Sequence, residues 1–232
     1  MGLTPGIKLL QACLNLPAIE SIRVRDAYWP LSLTTREKSE YQFTRSTVRS
    51  IHLGQFVTFE YESVVEAILA APQNLKDFGL THYQPRERRE YTGIGYEKYG
   101  QGLQTPDLVN MLLTYAKGSL ESLSLRCWLH QTKAIDGHNG FTKLRILDIE
   151  IAILTGGHLT DGQLIAKAMP ISLQHLILRE DGSSVSSFQF DGKEFRQLLK
   201  DFITSKRLHL PALEEFEVYL LDTKDMYSKH DY

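Results

Sequence analysis

The sequence has few cysteines, no long apolar run and no excess of one charge. It contains only two cysteines in 232 residues, which excludes a disulfide-built scaffold and paired Cys-x-x-Cys metal sites. Its apolar runs are shorter than the roughly 18 residues that a membrane helix needs, and no secretory leader is visible. The 26 Lys and Arg nearly balance the 28 Asp and Glu, so net charge favours neither nucleic acid nor an anionic membrane as a partner. We expect a cytoplasmic or nuclear protein that does not bind membranes.

Motifs for catalysis and for metal binding are also missing. There is no Gly-x-Ser-x-Gly elbow, His-Glu-x-x-His pair or phosphate-binding loop. Gly93 and Gly95 begin like a dinucleotide fingerprint, but Lys98 stands where the third glycine belongs. Cys127 and His130 have no partner pair at zinc-finger spacing. We therefore expect no enzymatic activity, no catalytic residue, no metal site and no cofactor.

The main feature that is present is a repeated six-residue pattern, apolar-x-x-apolar-x-apolar. Its seven copies start at intervals of 24 to 45 residues, near the length of solenoid units. They occupy residues 19–24, 48–53, 75–80, 120–125, 144–149, 173–178 and 213–218. The alternation within each copy predicts a short strand, with the last two apolar side chains on one face.

Helix signals precede most of these predicted strands. Residues 63–66 form a capping box before an apolar segment that Pro72 ends, and Thr105 provides an N-cap ahead of Pro106. Similar starts at 160–163 and 191–194 open the segments LIAKAM and FRQLLKDFITSK. The predicted repeating unit is therefore a helix, a turn and a strand.

With these hexamers and helices, the chain resembles the leucine-rich repeat family, in particular the irregular α/β repeats of F-box-type, fungal-like substrate adaptors, although no F-box is evident. The resemblance implies an arc-shaped solenoid with a parallel sheet on its concave side and helices on its convex side. We expect one repeat domain over 1–221, with polar insertions at 32–46 and 81–104 and a polar tail at 222–232. The alternative is an ordinary α/β domain, but such a sheet buries both faces, and only Ile146 and Ile177 are apolar at the intervening positions.

The third, fifth and seventh positions of each repeat are predicted to line the concave face. A solvated sheet surface with no binding role is an equally plain interpretation of these polar residues. The face runs from arginines at its N-terminal end to glutamates at its C-terminal end, which would orient a polar partner. The candidate binding residues on this face are Arg23, Arg25, Arg49, His52, Arg126, Asp148, His175, Arg179, Glu215, Glu217 and Tyr219.

The insertion at 81–104 is a second candidate contact region, because long loops in compact folds are often functional. Disorder without a binding role is the alternative interpretation. Its candidate residues are Tyr83, Arg86, Arg88, Arg89, Tyr91, Tyr96 and Tyr99.

From these features we expect a non-enzymatic scaffold for protein–protein recognition, with a protein partner whose identity the sequence does not give. The resemblance implies a more specific function, substrate recognition for an SCF-type ubiquitin ligase, with ligase components as further partners. The alternative is an α/β domain that binds single-stranded nucleic acid through the Arg/Tyr-rich loop at 81–104. Interleaved acids in that loop and a pI of about 6.4 argue against this alternative.

Overall fold

The computed structural model describes residues 5–25, 45–54, 62–82, 105–127, 138–155, 162–180 and 192–220. Within these ranges, seven strands form one parallel sheet whose spatial order is the order along the chain. The strands are β1 (Ser21–Val24), β2 (Ser50–Gly54), β3 (Asp77–His82), β4 (Ser122–Cys127), β5 (Ile146–Glu150), β6 (His175–Glu180) and β7 (Glu215–Leu220). Each predicted hexamer supplies one strand, which confirms the α/β class and the parallel sheet.

One helix precedes β1 and the others lie between successive strands in the chain, where most of them begin at the predicted capping signals. They are α1 (Pro5–Leu14), α2 (Glu62–Ala70), α3 (Thr105–Ala116), α4 (Ile151–Thr155), α5 (Gly162–Ala168) and α6 (Gly192–His209), with a 3-10 turn at His138–Gly140. The sequence did not predict α4, which follows β5 without a break. Among the described helices, none is both long and apolar enough to cross a membrane.

The hydrophobic core lies on one face of the sheet. In the inner strands β2 to β6, the last two apolar residues of each hexamer are at most 1% exposed, as at Ile51 and Leu178. They form one cluster with the buried residues of the helices. The helices therefore cover this face, and the intervening side chains point away from the core because successive strand residues alternate.

A repeated backbone contact joins neighbouring repeats just before the strands pair. The carbonyl at the second hexamer position accepts hydrogen bonds from two successive amides of the next repeat. At the first junction, the Glu20 carbonyl accepts from Arg49 at 2.7 Å and from Ser50 at 3.1 Å. Five further junctions repeat this contact, the last being the Gln174 carbonyl with the amides of Glu214 and Glu215. Every strand thus enters the sheet in the same register.

The predicted insertions and tail fall mainly outside the described residues, at 32–44, 83–104 and 222–232. At the end of the first insertion, Ser46 forms an isolated parallel bridge with Pro72. Thr81 and His82, at the start of the second, belong to β3.

We expect Leu147→Ala to destabilise the fold by about 2–5 kcal/mol, because it opens a cavity at a fully buried position of the inner strand β5. The matched variant Leu208→Ala removes the same atoms at a side chain that is 78% exposed, and it should change the free energy of unfolding by less than about 0.5 kcal/mol. Urea denaturation measures both. Equal losses would contradict the placement of the core.

Candidate functional site

The sheet face that points away from the helices brings together most of the predicted binding residues. We call it the open face and define it by the third and fifth residues of each hexamer and the residue that directly follows the hexamer. It contains Arg23, His52, Arg126, Asp148, His175, Arg179, Glu215, Glu217 and Tyr219. Arg25 follows β1 directly, whereas Arg49 lies at the second position, just before β2.

At the centre of the open face, one carboxylate holds two arginines. Asp148 on β5 accepts from Arg126 Nη2 on β4 at 2.5 Å and from Arg179 Nε on β6 at 2.6 Å. Asp148 is only 7% exposed, so water screens these charges less than it would at the surface. These ion pairs link β4, β5 and β6 through their side chains, in addition to the backbone hydrogen bonds of the sheet.

The same network continues to the last strand. The Arg179 guanidinium lies over the Tyr219 ring, 4.3 Å from the ring centroid, a distance typical of a cation–π contact. The Tyr219 hydroxyl donates to Glu217 Oε2 at 2.5 Å, while Glu217 Oε1 lies 2.7 Å from His175 Nε2. A chain of polar contacts therefore connects β4 to β7.

These contacts change the protonation equilibria of two groups. The hydrogen bond from Tyr219, followed by that from His175, lowers the pKa of the Glu217 carboxyl. The same carboxylate raises the pKa of the Tyr219 hydroxyl, because it accepts a hydrogen bond from the neutral phenol and its negative charge disfavours the phenolate. Glu217 is therefore charged and Tyr219 neutral at physiological pH.

A second polar cluster lies on β2 and β3 and includes Ser122 of β4. Asp77 Oδ2 accepts the Ser50 hydroxyl at 2.9 Å and lies 2.6 Å from His52 Nε2. Partial burial raises the pKa of Asp77, but hydrogen bonds from His52, Ser50 and Ser122 outweigh burial, so the pKa is lowered overall. Gly79 leaves the space that the imidazole occupies, since a Cβ there would overlap the His52 ring. The glycine thus positions His52 against Asp77.

Exposed apolar side chains stand among these charges. Ile146 on β5 is 41% exposed and Tyr219 is 48% exposed, and Ile177 on β6 is half-buried between them. Apolar and aromatic residues flanked by arginine are the composition that protein interfaces favour at their centres. The two residues that broke the polar pattern in the sequence, Ile146 and Ile177, therefore both lie on the open face.

Residues on and beside the two ends of the open face carry opposite charge. Arg23, Arg25 and Arg49 are exposed, and within the described ranges the structure gives them no ion pair. At the other end, Glu214 and Glu215 are exposed. The basic-to-acidic gradient predicted from the sequence is thus present in the described strands.

One group of side chains has the composition of a metal site. His175, Glu215 and Glu217 each offer a ligand atom, and these atoms lie within 4.8 Å of one another. The Glu217 carboxylate already accepts from Tyr219 and contacts His175, and the positive charge of Arg179 acts on it. A cation would have to displace these contacts and tolerate the arginine. The cluster is therefore best described as an internally hydrogen-bonded part of the open face.

Sequence reasoning located these residues but did not predict how they contact one another. Nothing in the pattern indicated that Asp148 is buried between two arginines. Alignment of the seven hexamers carried the available signal, since it places Arg126, Arg179 and Tyr219 in one row across the sheet. The candidate loop residues, Tyr83, Arg86, Arg88, Arg89, Tyr91, Tyr96 and Tyr99, lie outside the described residues, and so does the loop on which the nucleic-acid alternative depends.

Comparisons with known proteins add no relative to this description. No family model matches the chain, and no curated protein or solved structure gives a significant match. Inference about function therefore depends on the open face itself.

We expect Asp148→Asn to lower the free energy of unfolding by about 3–5 kcal/mol, because it removes the buried negative charge that accepts hydrogen bonds from both arginines. Asp107→Asn, at an exposed position in the first turn of α3, serves as the matched control and should cost less than about 1 kcal/mol. Urea denaturation at neutral pH compares them. Equal effects would show that the central ion pairs contribute little.

We expect Asp77 to make the free energy of unfolding depend on pH in the acid range. Because its folded pKa is lowered, its contribution is complete above the unfolded pKa and is lost as the pH falls through the folded pKa. The loss of unfolding free energy between about pH 7 and about pH 3 should therefore be smaller in Asp77→Asn than in the native chain. Chemical denaturation at the two pH values measures this difference, with Asp107→Asn again as the control. An identical pH dependence in the native chain and Asp77→Asn would contradict it.

Proposed function

We propose that this protein is a non-enzymatic recognition scaffold whose open face binds a partner protein. The observation that carries the proposal is the exposure of Ile146 and Tyr219 on a sheet face whose neighbouring charges are held by ion pairs. A partner that covers these side chains removes apolar surface from water, which is the main driving force for association.

Preorganisation supports the same proposal. Arg126, Arg179 and Tyr219 are already fixed by contacts with Asp148 and Glu217. Ordering a flexible side chain on binding costs about 0.5–1.5 kcal/mol, so side chains that are ordered beforehand reduce that cost.

The arrangement of polar groups also supports binding rather than catalysis. Ser50 donates its hydroxyl proton to Asp77 and not to His52, whereas a nucleophilic serine needs the imidazole as its base. His52, Ser50 and Ser122 thus all stabilise the Asp77 carboxylate. This is the expected arrangement for a structural cluster.

We further propose that the fold is a leucine-rich-repeat solenoid. Two observations support it: the identical register at six successive strand junctions, and the position of the described helices on a single face of the sheet. The more specific proposal, that the protein recognises substrates for an SCF-type ubiquitin ligase, rests on the family resemblance alone. An F-box on another chain or segment would have to supply the contact with the ligase.

Replacing Ile146 by arginine tests the open face directly. Affinity purification of the tagged full chain, with quantitative mass spectrometry, should recover a specific partner that Ile146→Arg loses. Once the partner is identified, its Kd should weaken about tenfold or more, as expected for an interface centre. Co-purified ligase subunits would support the adaptor function.

The matched control is Ile203→Arg, which makes the same change on α6 at a side chain that is 54% exposed. Far-UV circular dichroism establishes that both variants fold. If the two variants keep the same partners at the same affinity, the open face is not the binding surface.

A further inference from the structure

We propose that this chain associates head to tail with further copies of itself, through parallel pairing of β7 in one copy with β1 in the next. The proposal goes beyond the recognition function and does not rest on it. It concerns the two edges of the sheet, whereas the proposed binding site is the open face.

Both edge strands are incompletely covered. In the described part of the chain, β1 and β7 end the sheet, and no strand pairs with their outer edges. Val24, Phe216 and Val218 are half-buried, although the corresponding residues of β2 to β6 are at most 1% exposed. Unpaired edges of this kind are templates for pairing with another chain.

The internal junctions define how a second copy would fit. All six pair equal hexamer positions, so a seventh in the same register places Phe216 beside Ile22 and Val218 beside Val24. The Glu214 carbonyl would then accept the amides of the next copy's Glu20 and Ser21, as the Glu20 carbonyl accepts those of Arg49 and Ser50. The contact therefore repeats one that the fold already makes six times.

Side-chain chemistry on the open face is complementary in that register. Glu217 would lie opposite Arg23 of the next copy, an opposite-charge pair on adjacent strands. Tyr219 would lie opposite Arg25, which repeats the contact that Arg179 makes with Tyr219 inside the molecule. One unfavourable pair, Glu214 with Glu20, involves two exposed side chains that can turn into water.

Symmetric pairing of like edges is disfavoured by the same charges. Pairing two β7 edges would place the Glu215 and Glu217 carboxylates of one copy near those of the other. Pairing two β1 edges would place Arg23 and Arg25 of one copy near the same arginines of the other, so both contacts oppose like charges. The head-to-tail contact is heterologous, so it does not close at a dimer and produces rings or open chains of copies.

Sedimentation velocity of the full 232-residue chain tests this proposal. Over about 1 µM to about 1 mM, a range that includes Kd values of weak specific complexes, the native chain should form species larger than dimers. Arg23→Glu and Glu217→Arg should each weaken association about tenfold or more, because each sets like charges against each other. The double variant restores opposite charges and should regain association.

Arg145→Glu reverses an exposed arginine away from both edges, just before β5, and should associate like the native chain. Glu217→Gln keeps a side chain that can hydrogen-bond to His175 and Tyr219 but has no charge. It therefore distinguishes an effect of lost local contacts on association from an effect of charge reversal. A native chain that is monomeric throughout overturns the proposal, as does unchanged association in Arg23→Glu. If the double variant associates no better than the singles while Glu217→Gln associates like the native chain, the proposed register is wrong.

Discussion

The paired hydrogen bonds at the second hexamer position are the constraint on which the rest of the structure depends. At each junction one carbonyl accepts two amides of the next repeat, which fixes where the following strand begins. A shift of one residue would move the apolar side chains to the solvent face and the charged ones into the core. The buried columns and the open face are therefore both consequences of a backbone contact that involves no particular side chain.

This backbone register explains why charges on the open face form networks. Strands lie about 4.8 Å apart, so side chains at equal positions of neighbouring repeats, and long side chains two positions away on the adjacent strand, are within reach of one another. Asp148 lies on the strand between those of Arg126 and Arg179, and two charge-assisted hydrogen bonds offset the cost of burying it. From β4 to β7 the contacts form one fixed polar surface, whereas residues of β2 and β3, with Ser122 of β4, form a second cluster around Asp77.

The sequence predicted the sheet well because its signal is local and repeated. Seven hexamers with the same alternation identify the strands and the face that each buries, whereas the parallel sheet was implied by the family resemblance. Ion-pair partners were harder to predict, since Arg126 and Arg179 lie 22 and 31 residues from Asp148, and their contact depends on side-chain conformation. Helix α4 was missed for a different reason, because Ile151 follows β5 directly and no capping residue marks a start. The strong helix predictions all rested on capping residues.

Charge compensation along the open face determines what kind of contact each part can make. Near the centre, the arginines are held in ion pairs with Asp148, so under the proposed function that region would contact a partner mainly through the exposed surface of Ile146 and Tyr219. At the N-terminal end, Arg23 and Arg25 are exposed and have no described ion pair, so they remain available to an acidic group. Apolar burial at the centre and charge at the ends act over different distances, and charge acts first as two molecules approach. The ends would therefore orient a partner before the centre is covered.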